Sequence, residues 1–426
     1  MWRSRWPIAL LTIIYVLNFV DRQLVGILGQ PMKAELGLTD RQLGLLSGVA
    51  FALFYTTLGL PIARIAERKS RVGVIAVSLG LWSAMTALCG MARSVPQLVL
   101  VRLGVGLGEA GFAPTAQSLI ADLVRPERRA TALSLFSLGI PAGMLIGAVA
   151  GGWLAQSLGW RMAFVWLGLP GIALAILLAL TLREPPRSAP TAAHPALIDV
   201  ARTLWRAPGF AHVAAGASIA SFAGYGLTSF AVPLLMRRYG LPIGDAASGF
   251  GLVAGVSIGL GIGSGGWLAD RRASAGRGGL VAATGALVAG LIFPLVLEAG
   301  DPRLLAVSAI APLAGAHLYF GPTFALTINS VDARSRATAI AILLMAMNAI
   351  GLGLGPLTVG ALSDAFTQAI LPSYSPACHS RACTIASAHG LTSALRVDVL
   401  LYFWAALHSL LAARAVRRAQ PQSTAR

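Results

Sequence analysis

The chain has 426 residues, of which 56% are hydrophobic and only 12% are charged. A water-soluble fold of this length could neither bury so many apolar side chains nor cover its surface with so few charges. The composition therefore excludes a soluble enzyme, a nucleic-acid-binding protein and a disordered chain. It indicates a polytopic membrane protein, because an apolar run of about 20 residues is long enough to cross a bilayer.

Twelve apolar segments follow one another along the chain, and each is predicted to be a membrane-spanning α-helix. The first segment is too long, and is followed by too many others, to be a cleaved signal peptide. An even number of spans puts both termini on the same side. The predicted spans cover residues 7–27, 43–63, 73–92, 97–120, 131–155, 161–182, 209–235, 247–268, 278–298, 303–328, 337–361 and 395–413.

The positive charges are divided unevenly between the two sides of these spans. If both termini are cytoplasmic, 22 of the 33 Lys and Arg residues lie inside, 9 lie outside and 2 lie at membrane depth. Cytoplasmic segments of membrane proteins carry such an excess of positive charge. We therefore expect a protein of the cell (inner) membrane with both termini in the cytoplasm. The net charge of +17 then needs no nucleic acid as a partner.

The longest predicted inner loop divides the chain almost in half. We predict a six-helix bundle at 1–182, a cytoplasmic linker at 183–208, a second six-helix bundle at 209–413 and a short disordered tail at 414–426. The expected fold class is an all-α membrane protein with two pseudo-symmetric bundles.

Short motifs recur in the same order in both halves, which indicates an internal duplication. Duplicated six-helix halves are typical of secondary transporters, in which the substrate binds between the halves near the midplane of the membrane. The matching segments are ARIAER at 63–68 with GWLADR at 266–271, RATA at 129–132 with RATA at 336–339, Pro114-Thr115 with Pro322-Thr323, and Gly152 with Gly360.

Three motifs carry a resemblance to the major facilitator superfamily. The segment GLPIARIAERKSR at 59–71 resembles the superfamily's G-x-L-A-D-R-x-G-R-K signature, and residues 266–271 keep a second copy of it. The run from Arg102 to Gly108 resembles the R-x-x-x-G-x-G motif of the fourth span, and 139–152 resembles the glycine-rich motif of the fifth.

Within the superfamily, three segments resemble the Spinster-like group. They read NFVDRQL at 18–24, GLPIAR at 59–64 and RLGVGLGEAGFAPTAQSLIAD at 102–122. The group is associated with proton-linked export of lysolipids and sphingoid phosphates in animals. The resemblance therefore implies export of an amphipathic or anionic organic solute, without specifying which one.

Ionisable residues within the spans are the first functional candidates, because charge inside a membrane is expensive. Arg102 and Glu109 are seven residues apart and share one face of a helix, which we expect to line a central cavity. Asp21 and Arg22 are adjacent, so only one of them can face that cavity. We expect Asp21, Glu109 and His317 to carry the coupling proton, since a change in distance to an arginine can bind or release a proton.

Substrate binding is assigned to two arginines and three aromatic residues. Arg22 and Arg102 can hold an anionic headgroup, and Phe112, Tyr225 and Tyr319 can line an amphipathic pocket. The alternative is that the charges form structural ion pairs and that the aromatic side chains face lipid or core.

A cytoplasmic gate is expected among the charges of the inner loops. Charge-assisted bonds can hold the inner ends of helices together in one state of the transport cycle and break in the other, and the superfamily resemblance implies such a latch. The alternative is that these charges only satisfy the positive-inside bias in water, where ion pairs contribute little. The candidates are Glu67, Arg68, Arg71, Asp122, Asp270, Arg271 and Asp332.

Two smaller features concern glycines and cysteines. Gly139, Gly143, Gly147 and Gly151 form a smooth stripe suited to close helix contact, either as a rocking interface with the eighth span or as a static one. The segment 378–383 contains two cysteines that can form a local disulfide, whereas a metal site using His379 is the weaker alternative.

The sequence as a whole predicts a monomeric, proton-driven transporter without cofactor or metal. Its partners are expected to be a small or lipid-like substrate, protons and membrane lipids. The literal G-x-G-x-x-G at 106–111 lies inside an apolar span and is not a nucleotide site. Alternatives are an importer or exporter of small organic acids or drugs, a receptor without transport on the same fold, and a membrane-embedded enzyme, for which the spans offer no catalytic set.

Overall fold

The computed structural model describes residues 5–125, 128–185, 196–270, 276–332, 335–378 and 380–419. Within these ranges the secondary structure is helical and contains no strand, as the all-α class requires. Among the described residues, twelve helices are long and apolar enough to cross a membrane, which confirms the predicted number of spans. They cover Trp6–Leu36, Asp40–Gly59, Arg71–Cys89, Val95–Leu123, Thr131–Leu158, Trp160–Thr181, Phe210–Tyr239, Ile243–Ala269, Arg277–Val296, Pro302–Asn329, Thr338–Ile370 and Arg381–Ala419.

Several spans are divided by a break in helical hydrogen bonding, so the described residues form eighteen α-helices. Between α16 and α17 lies a π-helical segment, Asn348–Leu354. The helices are α1 (Arg5–Leu36), α2 (Asp40–Ser47), α3 (Val49–Arg68), α4 (Arg71–Cys89), α5 (Val95–Ala110), α6 (Phe112–Leu123), α7 (Arg129–Ser137), α8 (Gly139–Leu158), α9 (Trp160–Thr181), α10 (Leu197–Arg206), α11 (Phe210–Tyr239), α12 (Ile243–Asp270), α13 (Arg277–Val296), α14 (Pro302–His317), α15 (Phe320–Asn329), α16 (Arg336–Met347), α17 (Gly355–Ile370) and α18 (Arg381–Ala419).

The last helix is much longer than predicted. It begins at Arg381 rather than near 395. Small residues let this polar stretch pack closely against α17, since a Cβ added at Gly390 would lie only 2.8 Å from the backbone nitrogen of Thr367. It also continues to Ala419, so the part of the tail at 414–419 is helical, contrary to the predicted disorder.

The predicted linker contains a helix of its own, α10. Its apolar residues at i and i+4, Val200 and Leu204, are buried in one cluster with Phe210 and Ala339. Tertiary burial of this apolar stripe accounts for a helix where the sequence predicted a loop. Ile198 and Trp205 lie on another face of α10 and are exposed.

The chain divides into two compact units. Unit 1 comprises 1–191, 228–255 and 356–391. In it α4 packs on α5 and α9, α1 packs on α8, and α3 packs on α5.

Unit 2 comprises 192–227, 256–355 and 392–426. In it α13 packs on α14. Helices α11, α12 and α18 contribute residues to both units, and the predicted division into two six-helix bundles stays a prediction.

The glycine stripe of α8 faces α1 and not the eighth span. A Cβ at Gly143 would lie 2.5 Å from the carbonyl oxygen of Val16, and one at Gly147 would lie 3.0 Å from the Cα of Val20. The stripe therefore allows two backbones of unit 1 to approach each other closely. Gly152, which follows the stripe, meets α12 instead, where an added Cβ would lie 2.7 Å from the Cβ of Ala247.

Candidate functional site

The ionisable residues predicted within the first and fourth spans meet in unit 1. The Nε of Arg22 on α1 donates a hydrogen bond of 2.8 Å to Oε2 of Glu109 on α5. Asp21, Arg102 and Glu109 are 3%, 2% and 1% exposed, so they are removed from solvent. These four side chains are referred to below as the central cluster.

Aromatic rings surround both arginines of the central cluster. The guanidinium carbon of Arg22 lies 4.4 Å from the ring centroid of Tyr55 and 5.4 Å from that of Phe51. Arg102 lies 5.1 Å from the Phe51 ring, and its Nε donates to the carbonyl oxygen of Leu46 at 3.2 Å. Cation–π attraction can therefore supply part of what each arginine loses by leaving water.

Hydrogen bonding in the central cluster is incomplete. Each carboxyl group has a buried oxygen, Oδ1 of Asp21 and Oε1 of Glu109, without a hydrogen-bond partner in the described part of the chain. Three neighbouring side chains also have buried polar atoms without a hydrogen-bond partner there. Asn18 lies beside Glu109, and Trp82 and Thr86 lie beside Asp21. Buried polar groups are normally paired, so a site with several unpaired groups has capacity for a proton or a ligand.

The predicted substrate and proton residues outside this cluster lie in different surroundings. Phe112 is fully buried in unit 1, with its ring centroid 5.4 Å from Trp82 and 5.8 Å from Tyr15. In unit 2, Tyr319 is buried and interacts with Tyr225. Phe112 therefore has the surroundings of a core residue in this structure.

His317 lies in unit 2, whereas Glu109 lies in unit 1. The Nδ1 of His317 donates to the carbonyl oxygen of Leu313 at 2.8 Å, so a neutral imidazole presents Nε2 as its acceptor. The predicted role of His317 in carrying the coupling proton stays a prediction.

Part of the predicted cytoplasmic gate forms a network around Arg71. Its Nη1 donates to Oδ2 of Asp122 at 2.6 Å, and its Nε donates to Oε1 of Glu184 at 2.8 Å. The other oxygen of Glu184 accepts from Ser70 and from the backbone of Val72. The network connects the end of α6 and the segment after α9 to the start of α4.

Electrostatics at Glu184 follow from this network. Burial alone would raise the pKa of its carboxyl group, but hydrogen bonds from Arg71, Val72 and Ser70 outweigh burial and hold that pKa below its usual value. The sequence did not single out Glu184, although it is an acidic residue directly after a span, where basic residues predominate.

The remaining gate candidates are not joined to this network. Arg68 and Asp332 are exposed, and within the described ranges neither forms an ion pair. The side chains of Glu67 and Asp270, and all of Arg271, lie outside the described residues.

A second buried charge cluster, which the sequence did not predict, surrounds Asp40 at the start of α2. Its carboxylate accepts from Lys33 Nζ at 2.7 Å, from both terminal nitrogens of Arg237 at 2.6 Å and from Ser363 Oγ at 2.6 Å. Asp40, Lys33 and Arg237 are 1%, 4% and 7% exposed. We call these four residues the outer cluster, because the charge asymmetry of the sequence predicts that this end of the spans faces outward.

Neighbouring residues complete the bonding of the outer cluster. Arg237 donates further hydrogen bonds to Gln30 at 2.7 Å and to Ser387 at 3.1 Å. The carboxylate of Asp364 accepts from the backbone nitrogens of Asp40 and Arg41, which are the first residues of α2. A helix N-terminus favours an anion at this position.

The two cysteines of 378–383 form a disulfide, which was one of the two possibilities that the sequence left open. It links the segment after α17 to the start of α18. His379 lies outside the described residues, and the disulfide takes up both sulfur ligands that a metal site there would need.

The fold and these buried charges define a polytopic membrane transporter. A sequence profile of the Major Facilitator Superfamily matches residues 11–367, and the chain belongs to this superfamily. Both the predicted superfamily and the predicted twelve-helix fold are thereby confirmed.

Individual relatives show which members of the superfamily this chain resembles. The chain is 37% identical over 378 residues to an MFS-type efflux pump of Mycolicibacterium smegmatis (strain ATCC 700084 / mc(2)155), covering 86% of each protein. It is 30% identical over 250 residues to Protein spinster homolog 1 of Homo sapiens, covering 55% of this chain and 46% of that protein.

Among solved structures, the fold is similar to the crystal structure of a bacterial homolog to the human lysosomal transporter Spinster in an inward-facing and unoccupied conformation. The TM-score is 0.91 and the identity is 31%, over 99% of both chains. The predicted Spinster-like resemblance is confirmed.

Proposed function

We propose that this protein is a proton-coupled secondary transporter that moves an amphipathic or anionic organic solute, with export as the preferred direction. The observation that carries the proposal is the incompletely bonded central cluster. It combines two buried carboxyl groups with the buried Arg102 and the partly buried Arg22, and each carboxyl group has an unpaired oxygen in the described structure. Ionisable groups at this depth are costly and are retained where protons or charged substrates must bind.

Competition for Arg22 couples the proton to the substrate in this proposal. Arg22 pairs with Glu109 in the described state. A proton on Glu109 removes the negative charge and releases Arg22 for an anionic group of the substrate, and loss of the proton restores the pair. Asp21 provides a second carboxyl group for protons in the same cluster.

The two arginines have different tasks. The Arg22 side chain is 12% exposed and can reach a ligand without leaving its aromatic surroundings. Arg102 is almost fully buried and donates to the carbonyl oxygen of Leu46. Arg22 is therefore the better candidate for substrate contact, and Arg102 is a positioning residue whose charge holds the two carboxyl groups in place.

The remaining assignments follow the sequence. The Arg71 network serves as the cytoplasmic gate, and His317, Tyr225 and Tyr319 supply the contribution of unit 2 to proton and substrate binding. The protein lies in the cell membrane as a monomer with both termini in the cytoplasm. Opening of the gate on one side and of the outer cluster on the other gives alternating access.

Reconstitution into proteoliposomes under an imposed pH difference tests the proposal. A panel of lysophospholipids, aromatic acids and sugar acids is offered to the wild type and to Asp21→Asn, Glu109→Gln and the exposed control Asp199→Asn. We expect the control to keep pH-driven flux, and both central-cluster variants to keep exchange of substrate but lose its dependence on the pH difference. Unchanged pH dependence in both variants would overturn the proton assignment, and binding without any flux would favour a receptor.

A further inference from the structure

One buried carboxyl group of unit 2 takes no part in the proposed mechanism. Asp398 on α18 is 2% exposed, and both of its carboxylate oxygens are buried without a hydrogen-bond partner in the described part of the chain. The arginine two residues before it, Arg396, pairs instead with Glu298.

An ionised carboxylate in these surroundings would be very unfavourable. Transfer of an unpaired charge to an apolar interior costs far more than transfer of a neutral acid, so a group of this kind takes up a proton. A carboxylic acid also gains a donor, and can use it toward a neighbouring hydroxyl group. The absence of a compensating cation beside Asp398, among the residues described, therefore points to a neutral carboxyl group.

The neighbour on the next turn of α18 is a buried tyrosine. Tyr402 is 0% exposed, and its hydroxyl is likewise unpaired within the described ranges. A Cβ added at Gly224 would lie 3.7 Å from this hydroxyl, so Tyr402 reaches α11. Residues four apart on a helix are neighbours, and the charge of an ionised Asp398 would act directly on Tyr402.

The titratable side chain next to Asp398 is Tyr402, and a second buried tyrosine of unit 2, Tyr319, lies near enough to act on Tyr402. Because the Tyr402 hydroxyl is unpaired in the described part of the chain, no hydrogen bond joins it to Asp398 or to Tyr319 there. Tyr402 is therefore the immediate neighbour with which a proton on Asp398 can exchange once the two side chains form a hydrogen bond.

We propose that Asp398 is a second proton-binding site, independent of the central cluster, which exchanges its proton through the hydroxyl group of Tyr402. For a transfer the two side chains form the hydrogen bond that the described arrangement lacks, and the tyrosine oxygen then accepts one proton and releases its own, so the tyrosine stays neutral. The site extends the proposed transport function and rests on it for its role in the cycle, but the presence of the proton can be measured without transport.

Infrared spectroscopy of the purified full-length protein tests proton binding directly, because a protonated carboxyl group has its own C=O band. We expect Asp398→Asn to remove one such band and Asp398→Glu to shift it. The matched control is Asp199→Asn, which changes an exposed carboxylate paired with Arg202 and should leave the band intact. A spectrum in which Asp398→Asn removes no band would overturn the proposal.

The exchange path has a separate readout. After transfer of the protein into D₂O, the Asp398 band should shift as deuterium replaces the proton, and Tyr402→Phe should slow this shift severalfold. A merely structural neutral acid would give a band whose exchange is unaffected by Tyr402→Phe, and this result would reject the path. Asp398→Asn could remove the band while Asp21→Asn and Glu109→Gln keep their pH-driven flux. This combination would reject the function proposed for the central cluster and would retain the proton site at Asp398.

Discussion

The two charge clusters of unit 1 are buried to a similar degree but differ in how completely they are bonded. In the outer cluster the carboxylate of Asp40 accepts four hydrogen bonds, from two cations and a hydroxyl group. In the central cluster Glu109 accepts one bond from Arg22 and keeps an unpaired oxygen within the described structure. A saturated cluster fixes one arrangement of its helices, whereas an unsaturated cluster can change its protonation or its partner.

The origin of this difference lies in the number of helices that contribute. The outer cluster draws side chains from α1, α2, α11 and α17, so donors surround the carboxylate on several sides. The central cluster draws its charges from α1 and α5 alone. The rings of Phe51 and Tyr55 lie against Arg22 there, whereas Arg237 of the outer cluster has further hydrogen-bonding groups.

The largest effect is expected where the bonding is complete. Asp40→Asn leaves Lys33 and Arg237 buried without a charged partner, and breaking a buried ion pair in this way costs about 3–5 kcal/mol. Chemical unfolding in detergent should show this loss of free energy of unfolding. The control is Glu298→Gln, whose exposed pair with Arg396 should contribute less than about 1 kcal/mol. Equal stability of the two variants would remove the distinction between the clusters.

A smaller effect is expected in the central cluster. Glu109→Gln removes the charged partner of Arg22, but the aromatic rings remain, so we expect a loss of about 1–3 kcal/mol. Asp21→Asn, at the same depth, alters a carboxyl group that has no arginine partner of this kind and should change the free energy of unfolding by less than about 1 kcal/mol. Chemical unfolding in detergent measures the loss in both variants. A loss in Asp21→Asn as large as that in Asp40→Asn would show that both clusters are structural.

The smallest effect is expected at Glu184, together with a pH dependence. Because its pKa is lower in the folded protein than the usual 4.5, the carboxylate stabilises the fold above that pH, and the stabilisation is lost as the pH falls through the lowered pKa. Glu184→Gln should therefore cost about 1 kcal/mol at neutral pH, since the group is partly exposed, and progressively less in acid. Unfolding of both proteins across a pH series measures the difference.

A constant difference between wild type and Glu184→Gln at every pH would contradict this assignment. Asp199→Asn is the matched control, because its pair with Arg202 is exposed on both sides and should show no such pH dependence.

Features set by one helix could be predicted from the sequence. The seven-residue spacing of Arg102 and Glu109 fixes their common face wherever the helix packs, and apolar runs fix the number of spans. Asp40 could not be predicted in the same way, because its partner Arg237 is 197 residues away and the pairing depends on tertiary packing. Asp398 lies inside the predicted twelfth span but was not predicted as a site residue. Arg396 is two residues away in the sequence, and only the structure shows that this arginine pairs with Glu298 instead.

The π-helical segment Asn348–Leu354 has a consequence for the duplicated chain. From Arg129 to Gly152 the first copy advances 23 residues, whereas from Arg336 to Gly360 the second advances 24. One inserted residue would turn the rest of an α-helix by about 100°, but a widened turn absorbs it.

The orientation of the two glycines was preserved despite this insertion. Gly152 meets the first turn of the eighth span, 3.0 Å from the carbonyl oxygen of Ile243 for an added Cβ, and Gly360 meets the first turn of the second span, 3.0 Å from the Cα of Arg41. The widened turn thus absorbs the one-residue difference in spacing between the two copies at this point of the chain.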